Sequence, residues 1–198
     1  MSDLPDWLDV PRETTVKWQQ YLDLLTNWNA KINLVSDKNE GDWWSRHILD
    51  SAQLSLYLPS SDVSIIDLGS GAGLPGIVLG LMGYHRLTLI ESDKRKVAFL
   101  QHVCGTFSLP LRILSERVEA APPLLPDYVV SRAFAPLPQL IEYSLPQLKE
   151  STTCLFHKGR NYSKEIEDVK FYHFDHFTHV SKVDPQSVVL EIKSIARS

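Results

Sequence analysis

The 198-residue sequence predicts an α/β fold, a doubly wound and mostly parallel sheet behind an N-terminal helical extension. Three observations predict it. Short β-branched apolar runs alternate with helical segments from residue 63 onward. A turn with three alternating glycines follows the first of these runs. An acidic residue, Glu91, closes the second. A hydrophobic content of 43% allows one sizeable core, and 22% charged residues is ordinary for a folded chain.

Trp18, Leu22, Leu25 and Trp28 recur at helical spacing and place a helix over residues 11–35. A second helix is expected over 42–58, with Trp43, Ile48, Ala52 and Leu56 turned inward. Pro59-Ser60-Ser61-Asp62 is the internal boundary, so residues 1–60 form a helical cap and 61–198 the main domain. Strands follow at 63–68, 86–91, 111–114, 127–131 and 152–157. Helices are expected from Pro75 onward and over 94–107, 137–148 and 163–169. Val188 to Ile192 reads as a closing strand paired with 171–180, antiparallel at the sheet edge.

Asp67-Leu68-Gly69-Ser70-Gly71-Ala72-Gly73-Leu74-Pro75-Gly76 carries the strongest local signal. Glycines there let the backbone turn sharply and approach a ligand closely. Glu91 ends the next strand, where a carboxylate accepts hydrogen bonds from ribose hydroxyls. Gly71 to Gly76 fits the dinucleotide pattern G-x-G-x-x-G, so an NAD(P)-dependent oxidoreductase is one reading. Asp67, two residues before Gly69 and placed to meet a cationic amino-acid group, favours S-adenosyl-L-methionine, with Gly69, Gly71, Gly73 and Glu91 as further contacts.

The net charge of −4 argues against a general polyanion binder. Residues 1–42 hold eight acids and four bases, whereas 43–198 hold sixteen of each, which leaves room for a local basic face. Lys94, Arg95, Lys96, Lys158, Arg160 and Lys164 are the candidates for phosphate contact. Cys104 and Cys154 lie in apolar contexts and read as core, not as a disulfide or a zinc pair. His173, His176 and His179 recur every three residues, which does not keep them on one face of a strand, so no metal is expected. His47 is expected to be a buried residue holding the cap. Met1-Ser2-Asp3-Leu4-Pro5-Asp6 lacks the order of a secretory signal and no apolar run reaches a membrane span, so a cytoplasmic protein is expected; no long apolar edge demands a dimer, so a monomer is expected.

Several segments together resemble a known family over nearly the whole chain. They are Trp28 to Leu34, Arg46-His47-Ile48-Leu49-Asp50-Ser51, the glycine turn, Glu91-Ser92, Arg117-Val118-Glu119, Ser131-Arg132-Ala133-Phe134-Ala135 and Lys158-Gly159. In that order they resemble the RsmG family, also called GidB, bacterial methyltransferases of guanine N7 in small-subunit ribosomal RNA. The resemblance implies a Rossmann-like class I methyltransferase fold, with a seven-stranded, mostly parallel sheet and an N-terminal helical extension. It implies S-adenosyl-L-methionine as cofactor and 16S rRNA in the small ribosomal subunit as partner. The family's cofactor contacts fall on Gly69, Leu74, Val118, Glu119 and Arg132 of this chain. Two departures stand out: Pro185-Gln186-Ser187 where the family carries an arginine, and Asn33-Leu34-Val35 where it has N-L-T.

Guanine N7 has a free lone pair, so methyl transfer by in-line displacement requires no essential general base. Positioning then carries the rate. Arg132, Arg117 and Lys158, each near a strand end, are the candidates for orienting the substrate. An ion pair with Glu116 or Glu119 competes for Arg117. A non-catalytic cofactor- and RNA-binding module would use the same glycine turn.

Overall fold

The computed structural model describes residues 4–35 and 42–197. Its strands are β1 (Ile65–Leu68), β2 (Leu87–Ile90), β3 (Arg112–Leu114), β4 (Tyr128–Arg132), β5 (Thr153–Lys158), β6 (Tyr172–Val180) and β7 (Val188–Arg197). They form one seven-stranded sheet in the order β3-β2-β1-β4-β5-β7-β6. Pairing is parallel from β3 through β5. β7 runs antiparallel between β5 and β6. The chain moves outward from β1 to β3 and then returns to β4 on the other side of β1. That reversal opens a crevice beyond the carboxyl ends of β1 and β4.

The helices are α1 (Arg12–Ile32), α2 (Asp50–Ala52), α3 (Gly76–Leu81), α4 (Lys94–Thr106), α5 (Leu137–Ser144) and α6 (Tyr162–Glu167). β1 is buried at every position because both sheet faces are covered. Ile66 and Leu68 join one apolar cluster, with Leu137, Leu140 and Ile141 of α5. Ile65 joins the other, with Trp18, Tyr21 and Leu25 of α1 and Phe99 and Leu100 of α4. The alternation turns Asp67 to the α3 side. Leu8, Trp43, Ile48 and Leu54 belong to this same second cluster, so the N-terminal extension and the sheet share one core. Among the described residues, no helix is long and apolar enough to cross a membrane.

The segment expected as a helix over 42–58 is helical but irregular. A π-helical turn (Trp44–Leu49) leads into α2 and then a 3-10 turn (Gln53–Tyr57). The Asp50 carbonyl accepts from His157 Nε2 at 2.7 Å and from Gln53 Nε2 at 3.0 Å, and these partners compete with regular helical pairing. Trp43, Ile48 and Ala52 are buried as expected, but Leu56 is 43% exposed. Three residues per turn rotate Leu54 inward in its place. The helix expected over 137–148 leaves α-geometry at Ser144 and continues as a 3-10 turn at Leu145–Gln147, around Pro146. His173 and His176 are exposed, while His179 stacks on Tyr57 at 4.2 Å and bonds Glu191 Oε2 at 2.8 Å. Cys104 and Cys154 are buried, and burial pushes their thiols up to about 11 and about 12.

Candidate functional site

A cleft of about 740 Å³ opens at the crevice beyond β1 and β4. Its floor is the turn after β1. Ser70 N–H donates to the Ile90 carbonyl at 3.0 Å, which ties the turn to β2. Gly69, Gly71 and Gly73 have φ of +68°, +56° and +90°, the left-handed region that favours glycine. A side chain on Gly69 would overlap the Phe134 ring, and one on Gly73 would overlap Ile77. At Gly71 a Cβ would meet nothing nearer than the Gly69 carbonyl at 3.8 Å, so the open space there belongs to the cleft. From behind, the buried Tyr21 hydroxyl of α1 donates to the Ala72 carbonyl at 2.7 Å. Burial pushes that phenol well above its usual range.

Glu91 lines the cleft, 8% exposed, with both carboxylate oxygens fixed by backbone. Gly71 N–H donates to Oε2 at 2.8 Å and Asp93 N–H to Oε1 at 2.7 Å. Each oxygen keeps a lone pair for a further donor. Asp67 is placed differently from the sequence expectation. It is fully buried, does not line the cleft, and accepts from Gly76 N–H at 3.0 Å, which pins the start of α3. Its Oδ1 has no partner among the described residues, and burial raises the carboxyl to about 7.

Arg132 also lines the cleft. Nη1 donates to the Arg46 carbonyl at 2.7 Å and lies 3.1 Å from Asp50 Oδ2. Nη2 lies 3.2 Å from His47 Nδ1. A guanidinium only donates, so Nδ1 accepts and a neutral His47 ring carries its proton on Nε2. The His157 side chain is 7% exposed, and burial lowers its pKa. Its Nε2–H is committed to the Asp50 carbonyl, because that oxygen only accepts.

Lys158 also reaches the cleft, but its ammonium is 2.7 Å from Glu165 Oε2 and 2.9 Å from the Ala135 carbonyl. Arg95 is similarly engaged with Asp93, while Lys96 lines the cleft. Of the residues expected at the site, Gly69, Gly71, Leu74, Glu91, Arg132 and Lys158 line the cleft. Asp67, Gly73, Arg117, Val118 and Glu119 do not. Val118 is buried in the cluster with α5, and Arg117 and Glu119 are exposed, without an ion pair among the described residues. The sequence reading of site residues missed Asp50, Phe134 and the connection before β7, where Asp184 and Ser187 line the cleft. Asp50 and Phe134 both stand in segments that carry the family resemblance, Asp50 in Arg46 to Ser51 and Phe134 in Ser131 to Ala135. Among the described residues, no group of three His, Cys, Asp or Glu side chains is placed to hold a metal.

The model of the GidB family, rRNA small subunit methyltransferase G, matches residues 14–189. Ribosomal RNA small subunit methyltransferase G of Gluconobacter oxydans is 40% identical over 189 residues, covering 95% of this chain and 97% of that protein. Its counterpart in Paramagnetospirillum magneticum is 41% identical over 189 residues, covering 95% and 92%. Among solved structures, a SAM dependent methyltransferase from Aquifex aeolicus superposes with a TM-score of 0.59 at 12% identity, covering 84% of this chain and 97% of that one.

Proposed function

Because this chain belongs to the GidB family of rRNA small subunit methyltransferases, we propose that its cleft binds S-adenosyl-L-methionine and transfers the methyl group to guanine N7 of 16S rRNA in the small ribosomal subunit. The observation that carries this reading is Glu91, held by two backbone N–H groups beside the open face of Gly71. That arrangement fits an adenosyl group: the carboxylate faces ribose hydroxyls and the side-chain-free turn admits the rest. Family membership favours the methyl donor over a dinucleotide at Gly71 to Gly76.

When bound, the donor supplies an electrophilic methyl carbon on a sulfonium. The chain's own work is to bind and to orient. Guanine N7 already has its lone pair, so no proton has to leave before attack. The side chains at hand agree with this. His157 donates Nε2–H to the Asp50 carbonyl and its Nδ1 lone pair is buried away from the cleft's solvent, and Lys158 is bound to Glu165, so neither is placed as a base. Arg132, held in place by Asp50 and His47, is the orienting group. Gly69 and Leu74 complete the donor's wall, while Asp67 and Gly73 shape the turn from beneath. Arg117, Val118 and Glu119 act, in this proposal, through the loop after β3 and not from the cleft lining.

The test is to incubate the protein with methyl-labelled donor and undermethylated small subunits. Label at guanine N7 of the RNA is expected. Bound donor without labelled RNA would leave only the non-catalytic module.

A further inference from the structure

A second cavity of about 520 Å³ adjoins the cleft and shares Phe134, His157 and Lys158 with it. Phe134 stands between the two. It is 37% exposed, a high value for a phenylalanine at the foot of a buried strand. Its ring occupies the place that a side chain on Gly69 would take, and it lies 5.5 Å from the ring of Tyr143. The preceding residue, Ala133, has φ of +52°, a strained conformation for a residue with a Cβ. The backbone is thus bent to present an aromatic ring at the seam of two cavities.

Glu165 also lines the second cavity. Its Oε2 accepts from Leu137 N–H and from Lys158 Nζ, each at 2.7 Å. Its Oε1 accepts nothing from the described residues, yet the carboxylate is oriented by two fixed donors. We propose that this second cavity receives the target guanine, unstacked from the RNA, with Phe134 as its stacking face and Glu165 Oε1 as the acceptor for its N1–H and N2–H groups. The proposal rests on the methyl-transfer reading of the first cavity.

The chemistry selects the base. Guanine presents two adjacent donors at N1 and N2, which one carboxylate oxygen accepts. Adenine presents a lone pair at N1, which a carboxylate repels. N7 lies on the side of the purine remote from N1 and N2. A guanine read by Glu165 therefore turns N7 away from it and toward the cleft beyond Phe134. Extrusion of the nucleotide is what enzymes acting on an individual base require.

The test uses the full chain, labelled donor and undermethylated small subunits under single-turnover conditions. Binding of S-adenosylhomocysteine is measured by calorimetry in parallel, and folding by urea denaturation. Phe134→Leu is expected to slow transfer by roughly ten- to a hundredfold, the usual scale for losing a base stack, while retaining S-adenosylhomocysteine binding. Phe134→Tyr restores most of that loss. Glu165→Gln is also expected to slow transfer, because its amide keeps oxygen toward Leu137 N–H and Lys158 and turns N–H donors to the base. Transfer at the wild-type rate by Phe134→Leu overturns the proposal. So does a loss of S-adenosylhomocysteine binding that matches the loss of rate, which would confine the ring to supporting Gly69. If Phe134→Leu does not fold, wild-type transfer by Glu165→Gln overturns it alone. No transfer by the unaltered chain overturns the methyl-transfer reading, and this proposal with it.

Discussion

Arg132 Nη1 lies 3.1 Å from Asp50 Oδ2, joining the end of β4 to the irregular helical segment across 82 positions of sequence. The side chains are 15% and 17% exposed, so the pair is largely screened from water. Asp50→Asn removes the charge that Arg132 faces and leaves the shape. A partly buried cation that keeps its other hydrogen bonds but loses its counter-charge costs about 1–3 kcal/mol. Urea denaturation is expected to report that loss. Turnover on small subunits is expected to fall further than stability explains, because Arg132 loses its fixed position in the cleft.

Gly69→Ala meets two obstacles, a φ of +68° and the Phe134 ring. The conformation alone costs about 1–2 kcal/mol. The variant is expected to fold, with circular dichroism unchanged, and to bind S-adenosylhomocysteine at least about tenfold more weakly by calorimetry.

Tyr21→Phe removes the hydroxyl that α1 extends to the Ala72 carbonyl. The carbonyl is left buried behind the turn without that donor. A stability loss of about 1–2 kcal/mol is expected in urea, with weaker S-adenosylhomocysteine binding as the turn loosens.

Asp67 sets a pH dependence. Burial raises its native carboxyl to about 7 from an ordinary value of 3.8. Between those values the native state holds a proton that the unfolded chain has released. Its contribution to stability is therefore present below pH 4 and is lost as pH rises through 7, at no more than about 1.4 kcal/mol per pH unit. Asp67→Asn keeps an acceptor for Gly76 N–H and is expected to flatten stability between pH 5 and 8. Denaturation across that range checks it.

The parallel sheet was legible because its central strands, β1, β4 and β5, are short apolar runs that are largely buried, and because Gly69 to Gly76 marks the crevice. Pairings distant in sequence were not. Nothing in the periodicity of 42–58 reveals that His157 captures the Asp50 carbonyl, so neither the π-helical turn nor the inward Leu54 was foreseen. Asp67 stands beside the glycines, but a strand's alternation decides which side it faces, and here it faces α3. Lys158 looked available for phosphate because Glu165, seven residues on, was not recognised as its partner. Arg132 was legible as a cleft residue because it ends an apolar strand at the carboxyl edge.

Calorimetric titration of the folded chain with S-adenosylhomocysteine tests the central claim most directly. The account predicts one molecule taken up per chain, and uptake weakened at least about tenfold by Glu91→Gln, whose amide nitrogen cannot accept from Gly71 N–H or Asp93 N–H and puts donors where the ribose hydroxyls need an acceptor. Well-folded wild-type protein that takes up none would contradict it.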